Sequence, residues 1–81
     1  MIIKVLFFAQ LKDAFGVGER TMEVCEGTTV SEFIQSLFEE TAVARLKGLP
    51  MLYSINEDFV DENQALRDKD TLALLPPVAG G

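Results

Sequence analysis

The chain opens with an apolar stretch, IIKVLFFA (2–9), whose β-branched and aromatic residues predict a strand. Its odd positions form one face and its even positions the other, and Lys4 marks the even face as at least partly solvated. A second alternating stretch, RTMEVCE (20–26), follows a turn rich in glycine. The two stretches predict an N-terminal hairpin, and residues 10–15 between them have the length of about one helical turn, ended by Gly16.

The clearest helical pattern lies in GTTVSEFIQSLFEE (27–40). Its apolar residues recur every three or four positions and therefore form a single stripe along a helix. Thr29 is a suitable N-cap, and Glu32, three residues later, completes the spacing of a capping box. Because an apolar stripe must be buried, we expect this helix to pack on one face of a sheet.

Strand patterns return in the second half of the chain. MLYSIN (51–56) and DFVD (58–61) predict two strands with a turn between them, and TLALLPP (71–77) predicts a last strand that its prolines terminate. The segment 61–70 is expected to be a polar loop, and 41–50 is ambiguous between loop and a helical turn. The order ββαβ(β)β predicts an α+β fold, a mixed sheet with one main helix on one face.

Composition narrows the functional classes. The 81 residues suffice for one domain, and the net charge of −6 disfavours binding to nucleic acid or to anionic membranes. A partner with a basic surface would be attracted instead. Cys25 is the single cysteine, so no intrachain disulfide can form, and the apolar start is too short to span a bilayer. We therefore expect a cytoplasmic protein.

The sequence offers little catalytic or metal-binding chemistry. It contains no histidine, the commonest acid–base residue and metal ligand. Cys25 has no histidine to activate it and is expected to be a packed or edge thiol on the second strand. Gly16 and Gly18 do not make a phosphate loop, since no third glycine and no helix follow them. Four acidic residues lack the spacing of a calcium loop and are expected to form solvated turns or an acidic rim: Glu57, Asp58, Asp61 and Glu62.

Three large apolar side chains fall at positions that the alternation places on a solvated face. They are Phe8, Phe59 and Leu75. If they meet on the sheet face opposite the helix, they form an exposed apolar patch, which is typical of a partner interface. The alternative is that short strands and sheet twist bury some of them.

The chain ends in LLPPVAGG (74–81). Pro76 and Pro77 restrict the backbone and make the exit from the sheet stiff and extended. The tail then becomes slimmer through Val78 and Ala79, and the final two residues, Gly80 and Gly81, have no Cβ. Such a tail suits the delivery of its terminal carboxylate into a narrow pocket of another protein. The alternative is a flexible terminus without a function.

Four segments together resemble a known family. KVLFFAQLKDAFG, TTVSEFIQSL, INEDFV and LRDKDTLALLPPVAGG look like the small subunit of molybdopterin synthase, a family of ubiquitin-like sulfur carriers. The resemblance implies a β-grasp domain over residues 1–75 and an extended tail over 76–81. One departure is Lys69, which occupies a position where the family often has glycine, so the turn before the last strand is expected to differ slightly.

The resemblance also implies a chemistry. An ATP-dependent enzyme similar to ubiquitin activators adenylates Gly81, and a sulfur donor converts it to a thiocarboxylate. The tail, Pro76 to Gly80, inserts into the large synthase subunit, in an assembly of two small and two large subunits, where the sulfur is transferred to a cyclic pyranopterin precursor. The chain itself then binds no cofactor or metal and supplies no acid–base side chain.

Other functions remain open at this point. The chain is alternatively a sulfur carrier of another pathway, such as thiamine synthesis, or a ubiquitin-like modifier that forms isopeptide bonds with lysine. A further alternative is an interaction domain with an inert tail. The Pro-Pro stretch and the hydrophobic first strand favour the molybdopterin pathway.

Overall fold

A computed structural model of the chain describes residues 1–39 and 50–76. This part of the chain contains two helices and five strands. The helices are α1 (Gln10–Phe15) and α2 (Val30–Leu37), and the strands are β1 (Ile2–Phe7), β2 (Glu19–Glu23), β3 (Leu52–Ile55), β4 (Asp58–Val60) and β5 (Thr71–Leu75).

The five strands form one mixed sheet in the order β2-β1-β5-β3-β4. The central pair, β1 and β5, is parallel, and the other pairs are antiparallel. The predicted N-terminal hairpin is therefore confirmed, as is the mixed sheet with one main helix. The last strand of the sequence lies in the middle of the sheet, between the first strand and β3.

The core lies between the sheet and α2. The odd positions of β1 are almost fully buried, and the apolar stripe of α2 joins the same cluster. Leu72 and Leu74 of β5 are both 0% exposed and contribute from the centre of the sheet. Burying one such side chain stabilises the folded state by about 1.5–3 kcal/mol. The side chains that alternation directs toward the core from β1 and β5 therefore supply much of the stability of the fold.

The capping box predicted at the start of α2 is present. The Glu32 backbone N–H donates to the Thr29 hydroxyl oxygen at 3.2 Å, and the Thr29 backbone N–H donates to a Glu32 carboxylate oxygen at 3.0 Å. The Thr29 hydroxyl donates to the same carboxylate oxygen at 3.1 Å. The bond from the Thr29 backbone, followed by the bond from its hydroxyl, lowers the pKa of Glu32 below its usual value.

The turn between β3 and β4 consists of Asn56 and Glu57, both with positive φ (51° and 75°). Two residues with positive φ are typical of the hairpin turn that matches strand twist. The Asn56 side chain also reaches the start of β5, where its amide donates to Asp70 at 3.0 Å and its oxygen accepts from the Thr71 N–H at 3.0 Å. The predicted turn is confirmed, and it is tied to the neighbouring strand.

Two sequence predictions were wrong in part. The strand predicted over 20–26 ends at Glu23, so Cys25 lies beyond it as an exposed thiol, with its carbonyl accepting a 2.7 Å bond from the Thr28 hydroxyl. The loop over 61–70 is not polar throughout, because Leu66 is only 3% exposed and belongs to the core. The ambiguous stretch 41–50 lies outside the described residues except for Pro50.

The turn before β5 contains Lys69 at a φ of 70°. This is the left-handed conformation that glycine adopts without cost, so the lysine accepts the geometry that glycine would have there. Its N–H donates to the Ile2 carbonyl at 2.7 Å, and Ile2 in turn donates to the Asp68 carboxylate at 2.7 Å. These bonds fix the start of β5 against the start of β1.

Candidate functional site

The tail follows directly from the central strand of the sheet. In the pairing of β5 with β3, Leu75 lies opposite Leu52, and Pro76 is the next residue and is half-buried. Since β5 is held on both sides by other strands, the point at which the tail begins is fixed in space. The predicted tail residues Pro77 to Gly81 lie outside the described part of the chain.

The sheet face opposite α2, here called the outer face, carries two rows of side chains. One row crosses four strands, because neighbouring residues lie opposite each other in the pairing: Leu6, Ala73, Ser54 and Phe59. The next row, nearer the tail, contains Leu75, Leu52 and Phe8, which follows the last residue of β1. The outer face is therefore largely apolar at the end from which the tail leaves.

The structure places all three predicted patch residues on the outer face. Phe8 is 44% exposed, Phe59 is 71% exposed and Leu75 is half-buried. Phe8 and Leu75 line the same two grooves, whereas Phe59 lies on the edge strand β4, outside both grooves and separated from Leu6 by small side chains. The structure thus joins Phe8 with Leu75, whereas Phe59 lines a different groove, which it shares with Leu52.

Leu52 also belongs to this face and was missed by the sequence analysis. It is 62% exposed and pairs with Leu75 across β3 and β5. Alternation along MLYSIN gives Leu52 the same orientation as Ser54, opposite to Tyr53, so a parity count of β3 would have found it.

A groove lies where the tail leaves the outer face, and we call it the tail-exit groove. It is lined by Phe8, Ala9, Pro50, Met51, Leu52, Leu75 and Pro76. None of these residues carries a charge. A second groove on the same face shares Phe8 and Leu75 but is more polar, since Ser54, Asn56, Glu57 and Thr71 also line it. An apolar partner surface therefore fits the tail-exit groove best.

Ala9, in the wall of the tail-exit groove, has an unusual backbone with φ 51° and ψ −128°. The Leu11 N–H donates to the Phe8 carbonyl at 3.0 Å and closes a tight turn around it. Glycine is favoured at this turn position, and another residue there costs about 1–3 kcal/mol. The turn connects β1 to α1 without a linker.

Several exposed acidic side chains lie at the β4 edge of the sheet. Glu57 and Asp58 are exposed at the β3–β4 turn, and Asp61 and Glu62 are exposed just after β4. The side chains of Lys4 and Glu19 form a 3.8 Å ion pair, and because both are exposed to solvent the pair adds little stability. Among the described residues, no group of three or more histidine, cysteine or acidic side chains is arranged to hold a metal ion.

Tyr53 lies on the helix-facing side of β3, where it packs against the core. Its partial burial, and then the nearby charge of Glu62, raise the pKa of its phenol. The phenol therefore stays neutral near pH 7.

No helix within residues 1–39 or 50–76 is long and apolar enough to cross a membrane.

Comparison with known proteins places this geometry in a family. The model of the ThiS family matches residues 5–81, which include the whole predicted tail. The chain belongs to the ThiS family. Among its curated relatives, the molybdopterin synthase sulfur carrier subunit of Escherichia coli K12 is 34% identical over 83 residues, with 99% of this chain and 100% of that protein covered.

Solved structures agree with the ThiS assignment. A protein–protein complex of subunits 1 and 2 of the molybdopterin-converting factor from Helicobacter pylori contains a chain that matches with a TM-score of 0.70 and 27% identity, with both chains fully covered. The small archaeal modifier protein 1 of Methanosarcina acetivorans matches with a TM-score of 0.77 and 26% identity, over 99% of this chain and 96% of that one. The predicted family resemblance and ubiquitin-like β-grasp fold are confirmed.

Proposed function

We propose that this chain is the sulfur carrier subunit of a molybdopterin synthase. The observation that carries the proposal is the match to the Escherichia coli subunit of that name over 99% of this chain, supported by a family match that extends through the tail. The Helicobacter complex of subunits 1 and 2 supports a large subunit as the partner. The apolar outer face beside the tail exit is the surface that such a partner would cover.

In the proposed reaction, Gly81 carries the reacting group. A carboxylate is a poor electrophile, so an ATP-dependent activating enzyme first joins it to AMP, with pyrophosphate as the leaving group. A sulfur nucleophile at the oxidation level of hydrosulfide then displaces AMP and leaves a thiocarboxylate. The thiocarboxylate sulfur attacks a carbon of a cyclic pyranopterin precursor and displaces an oxygen substituent there. Water then cleaves the bond between the acyl carbon and sulfur, which returns Gly81 to a carboxylate, and two such transfers build the dithiolene of molybdopterin.

The domain and the tail have different tasks in this scheme. Phe8, Leu75 and Phe59 are proposed to dock on the large subunit, together with Leu52. The tail from Pro76 to Gly81 enters the partner's active site, and the five residues beyond Pro76 reach at most about 18 Å when extended. The large subunit supplies acid–base side chains, consistent with the absence of histidine from this chain.

Further details of the assembly are proposed on the same basis. We infer a cytoplasmic complex of two small and two large subunits, with ATP consumed by the activating enzyme rather than bound by this chain. The single cysteine and the net charge of −6 support this location and a partner that is basic around its apolar centre.

A second candidate is a ubiquitin-like protein modifier, which the likeness to the small archaeal modifier protein favours. In that case Gly81 would be found in an isopeptide bond with lysine. A sulfur carrier of another pathway, such as thiamine synthesis, shares the activation step but not the large subunit.

The test is reconstitution with the activating enzyme, ATP, a sulfide source and the large subunit. We expect intact mass to rise by the difference between sulfur and oxygen, and selective alkylation to separate a thiocarboxylate from simple oxidation. Added pyranopterin precursor should then be converted to the dithiolene product. Lysine conjugates without conversion of the precursor would support the modifier, and a thiocarboxylate that the large subunit ignores would support another pathway.

A further inference from the structure

The backbone conformation of Ala9 is energetically unfavourable for a residue with a Cβ, and the alanine side chain does not stabilise the domain in return. Ala9 is exposed, so its methyl group is not part of the core. It precedes α1 but makes no side-chain capping bond. Glycine would adopt φ 51° and ψ −128° without cost. A residue that is strained without structural benefit points to a role in binding.

The position of the methyl group is fixed by well-anchored neighbours. Phe7 on one side is 2% exposed and Leu11 on the other is 0% exposed, so both ends of the turn are held by the core. The bond from the Leu11 N–H to the Phe8 carbonyl closes the turn between them. Ala9 lines the tail-exit groove, which Phe8 and Pro76 also line, and its anchored backbone fixes the position of its methyl group.

Other residues with positive φ do not share this combination. Asn56 uses its side chain to bond Asp70 and the Thr71 N–H, which explains its presence in the hairpin turn. Lys69 also has positive φ, but it lies in the turn before β5, at the opposite end of the parallel pair from the tail exit. Glu57 also has positive φ, but it lines the second, more polar groove and not the tail-exit groove. Ala9 alone of these four residues combines positive φ with a place in the tail-exit groove.

We propose that Ala9 is a contact residue for the large subunit, and that its methyl group packs against an apolar surface of that partner where the tail enters it. The inference rests on the proposed function. An apolar partner surface is indicated because all residues that line the groove are uncharged. The strain at Ala9 is then retained because glycine would stabilise the domain but remove the contact.

The test compares Ala9→Gly with Lys69→Gly, since each replaces a residue of positive φ with glycine. Both variants should melt higher than wild type, by about 4–8 °C for a domain of this size. Only Ala9→Gly should bind the large subunit of the same organism more weakly, by about fourfold, which corresponds to one buried methyl group. The loss should appear mainly as faster dissociation.

Hydrogen exchange at the Leu11 N–H separates a lost contact from a loosened turn. We expect exchange in Ala9→Gly to be at least as slow as in wild type, because the turn is relaxed rather than opened. Faster exchange would overturn the assignment of Ala9 as a contact. Equal affinities of Ala9→Gly and wild type, equal losses in both variants, or no rise in the melting temperature of Ala9→Gly would each overturn it as well.

Failure of the proposed function has a different signature. If the wild-type chain does not bind the large subunit at all, both the proposed function and this inference are overturned. If wild type binds and transfers sulfur while Ala9→Gly binds equally well, only the inference is overturned.

Discussion

The side-chain amide of Asn56 donates a 3.0 Å hydrogen bond to the carboxylate of Asp70, which is only 8% exposed. The other oxygen of that carboxylate accepts from the Arg67 N–H at 2.8 Å. The β3–β4 turn and the start of β5 are thus joined by a polar network next to the strand that leads to the tail.

We expect Asn56→Gly to destabilise the domain by about 1–3 kcal/mol, although glycine suits the positive φ. The substitution removes the partner of one oxygen of the Asp70 carboxylate and the partner of the Thr71 N–H, while the bond from the Arg67 N–H remains. That loss outweighs the relief of backbone strain. The matched control is Glu57→Gly in the same turn, which should stabilise by about 0.5–1 kcal/mol. Urea unfolding of both variants measures this, and a gain in stability for both would contradict the role of the network.

Thr29→Ala should cost about 0.5–2 kcal/mol through loss of the α2 cap. The penalty should also depend on pH. Because the pKa of Glu32 is lower in the folded than in the unfolded chain, ionised Glu32 favours folding above its unfolded pKa, and this contribution disappears as pH falls through the folded pKa. Thermal melts between neutral and acid pH should show the gap between wild type and variant narrowing.

The control for the cap is Ser36→Ala, an exposed position in α2 that takes no part in the capping box. It should not lower the melting temperature. The narrowing should be partial, because the variant loses the bond from the Thr29 hydroxyl to Glu32 but keeps the bond from the backbone N–H. A constant gap for Thr29→Ala across the acid range would show that the Thr29 hydroxyl does not favour ionised Glu32.

Phe8→Ala should weaken binding to the large subunit by roughly 10- to 150-fold, since burying one large apolar side chain is worth about 1.5–3 kcal/mol. Leu52→Ala should also weaken it, because Leu52 lines the same tail-exit groove. Lys12→Ala, at an exposed position of α1, should have little effect. Calorimetric titration gives the affinities, and indistinguishable values for Phe8→Ala and Lys12→Ala would exclude the docking face.

Changes at the tail should abolish sulfur transfer and leave the fold intact. Deleting Gly81 withdraws the carboxylate by up to about 3.5 Å, beyond attack distance. Gly80→Val adds a branched side chain to a tail that must enter a narrow channel, and one extra residue after Gly81 converts its carboxylate to an amide. Melting temperatures should barely change, because these residues follow the last strand.

Pyrophosphate exchange by the activating enzyme and delivery of sulfur to the precursor measure the two steps separately. A chain extended past Gly81 that still delivers sulfur at the wild-type rate would refute the carrier mechanism.

Much of this architecture was accessible from the sequence because periodicity records which side of an element is buried. The strict parity of β1 and the stripe of α2 predicted the core directly. The same alternation places the large apolar side chains of Phe8 and Leu75 on a face that should be solvated. This conflict identified them as candidates for a partner interface. Leu52 was not predicted, although the same alternation along β3 places its side chain on the outer face.

Features set by contacts distant in sequence were not accessible in this way. Leu66 stands in a polar segment, and its burial depends on the strands and helix that surround it. The end of β2 at Glu23 is likewise decided by its partner strand rather than by the alternation that continues to Cys25. The unusual backbone of Ala9 follows from the need to join two buried residues, Phe7 and Leu11, across a single turn.

The parallel pairing of β1 with β5 has a consequence for when the tail becomes usable. During synthesis β1 must wait for β5, because most of the described chain separates the two strands, and pairings between such distant segments are among the slower events in folding. A nascent or half-folded chain therefore has no fixed base from which its terminus could be presented. Completion of the sheet therefore comes before the tail is held at a defined position.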